Sequence, residues 1–155
     1  MAESRILKKT VQLLVHNHQK KHPLPIRRLQ RDLTEALSLL PRPSVTLPPL
    51  LEFHLVTPQE IKRIHLDFLQ DDSPTDVITF PYGEIFICPA VAEIQRKEYQ
   101  RKLYDEVLLY GVHALVHLKG YEDHTEREFK QMKRIQEKII DQLLKQPNRR
   151  STRSR

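Results

Sequence analysis

Three histidines, His113, His117 and His124, occur in the run His-Ala-Leu-Val-His-Leu-Lys-Gly-Tyr-Glu-Asp-His. The first two are four positions apart, so on a helix their rings leave one face with β-carbons about 5–6 Å apart. A divalent cation held by imidazole nitrogens needs ligands converging to about 2.0–2.1 Å. A helical pair supplies two of them without distorting the backbone. Gly120 is suited to ending the helix and turning the chain, which returns the third histidine toward the pair. Three neutral imidazoles and one open coordination position make a catalytic site rather than a closed structural one. The competing reading makes His113 and His117 core histidines hydrogen-bonded to the backbone, although burying two on one apolar helix without a common partner is costly. The pattern is not His-Glu-x-x-His, because Ala114 follows His113. The general base of zinc peptidases is therefore missing from its required place.

Other groups could serve the same chemistry. Asp123, Glu122, Asp76 and Glu84 are carboxylates to consider as a base. Asp123, beside His124, is the one chosen as catalytic candidate; a hydrogen bond to a ligating histidine is its alternative role. Single-stranded nucleic acid needs cations and stacking platforms. Lys8, Lys9, Lys20, Lys21, Arg27, Arg28 and Arg31 supply the first, and Phe80, Tyr82 and Tyr121 the second. Against this, the charges read equally as a solvated helix face and the aromatics as core. His16, His18 and His22 form a weaker metal candidate, with strand alternation placing His16 and His18 on one side. Cys88 follows an apolar run and reads as a small buried hydrophobe.

These residues need elements to position them. Residues 10–15 read as a strand and 25–39 as an amphipathic helix with apolar Ile26, Leu29, Leu33, Ala36 and Leu37. A proline-rich link, 40–49, leads to a half-buried strand at 50–56. Thr57-Pro58-Gln59-Glu60 is a helix-start signature for a helix to about Phe68. Residues 76–80 and 84–88 read as two strands joined at Pro81-Tyr82-Gly83. A helix follows from Ala90 to about Arg101, then the apolar helix 103–119 that bears the histidine pair, central and largely buried. Thr125 and Glu128 repeat the cap signature and open the last helix, to about Leu144. The order implies a single α+β domain: a small mixed β-sheet of about four strands packed with about five helices, with the metal site at the end of the central helix.

The 155 residues suffice for one domain. With 39% hydrophobic and 30% charged residues, wholesale disorder is excluded. No run of 18 apolar residues exists, so no transmembrane helix or membrane partner is expected. The single cysteine and the absence of a leader-like N-terminus imply a cytoplasmic location. The net charge of +6 is unevenly spread: residues 1–31 carry +7, residues 32–144 carry −6 and residues 145–155 carry +5. Basic ends around an acidic middle suit a polyanionic partner, or a solubilising tail.

The histidine run resembles the His-x-x-x-His-x-x-Gly-Tyr-Asp-His signature of the YbeY family of metal-dependent endoribonucleases in ribosomal RNA maturation. A second block agrees: Pro74-Thr-Asp-Val-Ile-Thr-Phe-Pro81 and Gly83-Glu-Ile-Phe-Ile-Cys88 are similar to that family's Pro-Thr-Asn/Asp-Val-Leu-Ser-Phe-Pro and Gly-Asp-Ile-x-Ile-Cys stretches. The likeness covers about residues 45–145. It implies one YbeY-like metal-hydrolase domain over 1–146; residues 147–155, rich in Arg and Ser, read by composition as a basic, disordered tail. It also implies one Zn2+ held by His113, His117 and His124, and an endoribonuclease acting on ribosomal RNA precursors, in 16S rRNA maturation and ribosome quality control, with RNA and ribosomal particles as partners. Two departures stand out. Both Glu122 and Asp123 separate Tyr121 from His124, where the family has one residue. Leu69 occupies the place of an arginine that the family uses toward RNA. Leucine cannot contact phosphate, which favours the alternative of a non-catalytic ribosome-assembly factor with a structural metal site.

Overall fold

In the computed structural model, which describes residues 10–69 and 76–145, the elements run β1 (Gln12–Asn17), α1 (Ile26–Leu39), β2 (Leu50–Leu55), α2 (Pro58–Leu69), β3 (Val77–Phe80), β4 (Glu84–Ile87), α3 (Pro89–Glu98), α4 (Leu103–Leu118) and α5 (Glu126–Leu144). The strands form one mixed sheet in the order β1-β2-β4-β3, with β3 antiparallel to β4 and the other pairs parallel. The expected α+β domain of four strands and five helices is therefore present. Lys8, Lys9 and the expected tail at 147–155 lie outside the described residues. Among the described residues, no helix is long and apolar enough to cross a membrane.

Two boundaries differ from expectation. β1 lies two residues further along than the sequence implies, because parallel pairing begins at Gln12, whose N–H donates to the Pro49 carbonyl at 2.9 Å. The register then runs from Gln12 opposite Leu50 to Asn17 opposite Leu55. α3 stops at Glu98 rather than near Arg101, because Gln100 takes a left-handed φ of 55°.

Alternation along the strands sorts their side chains. Leu13, Val15, Leu51, Phe53, Leu55, Ile85 and Ile87 face one way and join residues of α1, α4 and α5 in the main core. The other face carries Ile78, which packs with Ile61 and Ile64 of α2 in a smaller cluster edged by Phe80 and Phe86. The cap signatures form as expected. Thr57 Oγ1 accepts from the Glu60 N–H at 3.2 Å, and Thr125 and Glu128 make a full capping box at the start of α5.

α4 is the axis of the molecule. Ten of its 16 residues are buried, on nearly every side. At Gly111 it packs directly against α1, where an added Cβ would lie 2.7 Å from Leu33 Cδ2. Gly111→Val should therefore wedge two packed helices apart, destabilising the fold by about 1–3 kcal/mol in denaturant unfolding. Unchanged stability would show that α1 and α4 do not meet there.

Candidate metal centre

The geometry of the histidine run follows from how α4 ends. Lys119 closes the helix with its N–H on the Leu115 and Val116 carbonyls, and its ammonium donates to the Arg42 and Val45 carbonyls at 3.0 and 2.7 Å. Gly120 then adopts φ 93°, a conformation that costs other residues about 1–2 kcal/mol. This turn buries Tyr121, whose ring lies 3.7 Å from the Arg42 guanidinium carbon, and aims its carbonyl back at the helix. The His117 Nδ1–H donates to that carbonyl at 2.9 Å.

His113 is held in a parallel way. Its Nδ1–H donates to Gln136 Oε1 of α5. With Nδ1 protonated and engaged in both rings, each Nε2 is left with its lone pair outward. A partner on the remote nitrogen fixes tautomer and ring orientation, as in metal-ligating histidines. The two rings lie nearly parallel, 6° apart, with centroids separated by 6.2 Å.

His124 is placed differently. Its ring is 77% exposed, and its Nε2 lies 3.3 Å from Glu122 Oε1. That same oxygen is 3.9 Å from His117 Nε2, so the two nitrogens already approach one point. As they stand, no three His, Cys, Asp or Glu side chains among the described residues surround one position closely enough to hold an ion. Two rings are fixed and the third is on the surface, where a rotamer change meets little resistance. The donor set fits a borderline cation such as Zn2+: neutral imidazoles with one nitrogen each to offer.

A cleft of ≈ 330 Å³ opens over this pair, lined by His113, His117 and Asp123 on one side and by Val77–Pro81 with His65 on the other. Asp123 thus shares the cleft with the fixed rings. Phe80 borders it, and exposed Tyr82 stacks on Phe80 at 5.6 Å. Tyr121, the third expected stacker, is buried beneath Arg42.

The remaining candidates are dispersed. Glu84 accepts from the Tyr82 hydroxyl at 2.9 Å and from His54 Nε2 at 3.1 Å. Asp76 lines a different pocket, shared with His113. Arg28 lies over the Tyr104 ring at 3.8 Å and pairs with buried Asp32, whereas Arg27 and Arg31 are exposed. His16 and His18 do lie on one side of β1, but they stack with His54, whose pKa burial lowers against the opposing pull of Glu84. His22 lines a separate pocket with Lys20 and Lys21. Cys88 is buried, and desolvation raises its thiol pKa, which leaves it inert. Leu69 ends α2.

Sequence reasoning missed Gln136 and His65. Both leave a sequence trace. Gln136 falls four residues after buried Met132, on the packed stripe of α5, and His65 follows buried Ile61 by the same interval on α2.

An α+β domain with two imidazoles pinned at the end of its buried central helix, facing a cleft beside the sheet edge, defines a class of small histidine-site proteins. The family model described as Endoribonuclease YbeY matches residues 14–144, and the chain belongs to that family of RNA-cleaving hydrolases. The Endoribonuclease YbeY of Protochlamydia amoebophila is 36% identical over 106 residues, spanning 61% of this chain and 71% of that protein. That of Thermotoga neapolitana is 44% identical over 89 residues, spanning 54% of this chain and 58% of that protein. The chain thus aligns with between 58% and 71% of the length of these relatives. The solution structure of a Thermotoga maritima protein superposes with a TM-score of 0.64 at 27% identity, covering 92% of this chain and 95% of that one.

If the pinned tautomers create the site, Gln136→Leu should weaken zinc affinity by about 10–100-fold while leaving the fold intact. Competition against a chromophoric chelator measures it. Wild-type affinity in the variant would remove His113 from the ligand set.

Proposed function

We propose that the chain is a metal-dependent, single-strand endoribonuclease of ribosomal RNA processing, with His113, His117 and His124 holding one Zn2+. The observation that carries this reading is the pair of Nδ1–H bonds, to Gln136 and to the Tyr121 carbonyl, which leave two Nε2 atoms at one cleft. When bound there, a divalent ion supplies Lewis acidity toward a phosphodiester oxygen.

The protein's own groups supply the rest. The Asp123 carboxylate borders the cleft, which supports its assignment as the group that takes the proton of an attacking water. Half-buried Phe80 and exposed Tyr82 stack at the cleft edge, which suits an unpaired base and not a duplex. His65, from α2, closes the far wall. Family membership supports RNA as substrate. Within that reading we assign 16S rRNA maturation and ribosome quality control, in the cytoplasm, on ribosomal particles.

A second reading rests on Leu69, which ends α2 where the family resemblance places an arginine. It makes the protein an assembly factor that binds ribosomal particles around a structural metal.

Incubating the purified full chain with single-stranded RNA separates the two. The nuclease reading expects cleavage that is lost with chelator, regained with zinc and reduced to background in His117→Ala. Particle binding without cleavage at any metal concentration supports the second reading. Equal cleavage in wild type and His117→Ala identifies a contaminant and overturns the first.

A further inference from the structure

The wall of the cleft that faces His113 and His117 is made of five consecutive residues, Val77 to Pro81. Side chains along a strand alternate between the two faces of its sheet. No single face of β3 can present all of these residues to one space, so the strand meets the cleft with its edge, the main chain. β3 ends the order β1-β2-β4-β3 and has a neighbouring strand on one side only.

The register fixes which main-chain groups point outward. Gly83 and Ile87 turn their carbonyls toward β2, accepting from the Glu52 and Val56 N–H groups at 2.8 and 2.9 Å. Even-numbered residues on this stretch therefore serve β3, and the Cys88 N–H donates to the Asp76 carbonyl at 3.0 Å. The same alternation exchanges bonds between Ile78 and Phe86 and between Phe80 and Glu84. Val77 and Thr79 are left with their N–H and C=O groups directed away from the sheet. The Val77 N–H is taken by Asp76 Oδ1 at 2.8 Å. The Thr79 N–H has no partner among the described residues, and Thr79 is only half-buried, on the wall of the cleft.

This free edge is too short to take another strand. Strand addition uses a row of main-chain bonds. Here Asp76 occupies the first donor, and Pro81, beyond Phe80, has none. One donor suits one acceptor oxygen. The next residue, Phe80, carries the stack with Tyr82, ring centroids 5.6 Å apart, so a nucleotide with its base on that stack brings its phosphate toward Thr79. His113, His117 and Asp123 border the same space from the other side.

We propose that the Thr79 main-chain N–H is the phosphate donor of this cleft, hydrogen-bonded to a non-bridging oxygen of an RNA phosphodiester. That the linkage so held is the one cut rests on the nuclease reading above. The bond moves no proton. It orients the phosphorus toward the histidine wall and strengthens as negative charge grows on that oxygen, because the β3–β4 ladder holds the N–H in place beforehand.

The test uses the full chain, metal-free for binding and zinc-loaded for cleavage. The binding probes are the dinucleotide UpU and its Rp and Sp phosphorothioates. In ¹H–¹⁵N spectra UpU should shift the Thr79 amide. One phosphorothioate should bind several-fold more weakly than the other, and Thr79→Pro should abolish that difference. Proline removes the N–H and is tolerated at a strand edge. Thr79→Val keeps the N–H and should keep the stereochemical preference. On single-stranded RNA, Thr79→Pro should lower kcat/KM by about 100–1000-fold, the scale of one lost oxyanion donor. A wild-type Thr79 amide that UpU leaves unmoved overturns the proposal, whether or not the proline variant folds. So does a phosphorothioate preference that survives in Thr79→Pro. A Val-Thr-Val-Thr peptide that shifts Thr79 where UpU does not replaces it with strand pairing. Wild-type cleavage, followed alongside, keeps the claims apart. UpU at Thr79 without cleavage removes the nuclease and leaves the donor; cleavage with Thr79 unmoved does the reverse.

Discussion

The site depends on two hydrogen bonds made by the nitrogens that do not face the cleft. An imidazole presents a lone pair in a chosen direction only if its proton is held on the other nitrogen. His117 gives its proton to a backbone carbonyl and His113 to a side-chain amide from another helix. The first bond exists because Gly120 turns left-handed and brings Tyr121 back under the helix end; the second exists because α5 packs along α4. Tautomer choice in the cleft is thus written into the packing of the helix pair and into one turn. The Lys119 ammonium and the Arg42 side chain lock that turn to the segment after α1, 77 residues away in sequence.

The two pockets beside α4 share a wall but not a chemistry. The histidine cleft offers lone pairs and one exposed carboxylate, Asp123. Its neighbour is lined by the buried Glu106 carboxylate held by Arg101, by buried Tyr110 and by two exposed rings, Tyr99 and Phe129. His113 and Gln136 stand between them, so the hydrogen bond that orients a ligand also forms the partition. The cations bordering the second pocket, Arg101 and Lys133, come from the acidic middle of the chain and not from its basic ends. Arg28, by contrast, is engaged with Tyr104 and Asp32.

Much of this was legible in the sequence, for local reasons. The apolar surround of His113 and His117 announced a buried helix, and Thr125 with Glu128 announced the start of α5, because both signals act within a few residues. Gly120 marked the turn for the same reason. What was not legible depended on partners far along the chain. The position of β1 is set by pairing with β2, which the composition of residues 10–17 does not encode. Gln136 and His65 read as ordinary helix residues until α5 and α2 are docked, and only their phase relative to Met132 and Ile61 set them apart. The burial of Glu106 and Tyr110 was hidden because both sit in the most apolar helix, where hydrophobic pattern dominates the signal. His16 and His18 were paired correctly, but their third neighbour is His54 and not His22.

Long-range ¹H–¹⁵N NMR of the histidine side chains tests the central claim most directly. In the metal-free protein His113 and His117 should both appear as Nδ1–H tautomers, and one equivalent of Zn2+ should shift the Nε2 resonances of His113, His117 and His124 together. An Nε2–H tautomer at either helical position, or zinc that leaves His124 unmoved, would contradict it.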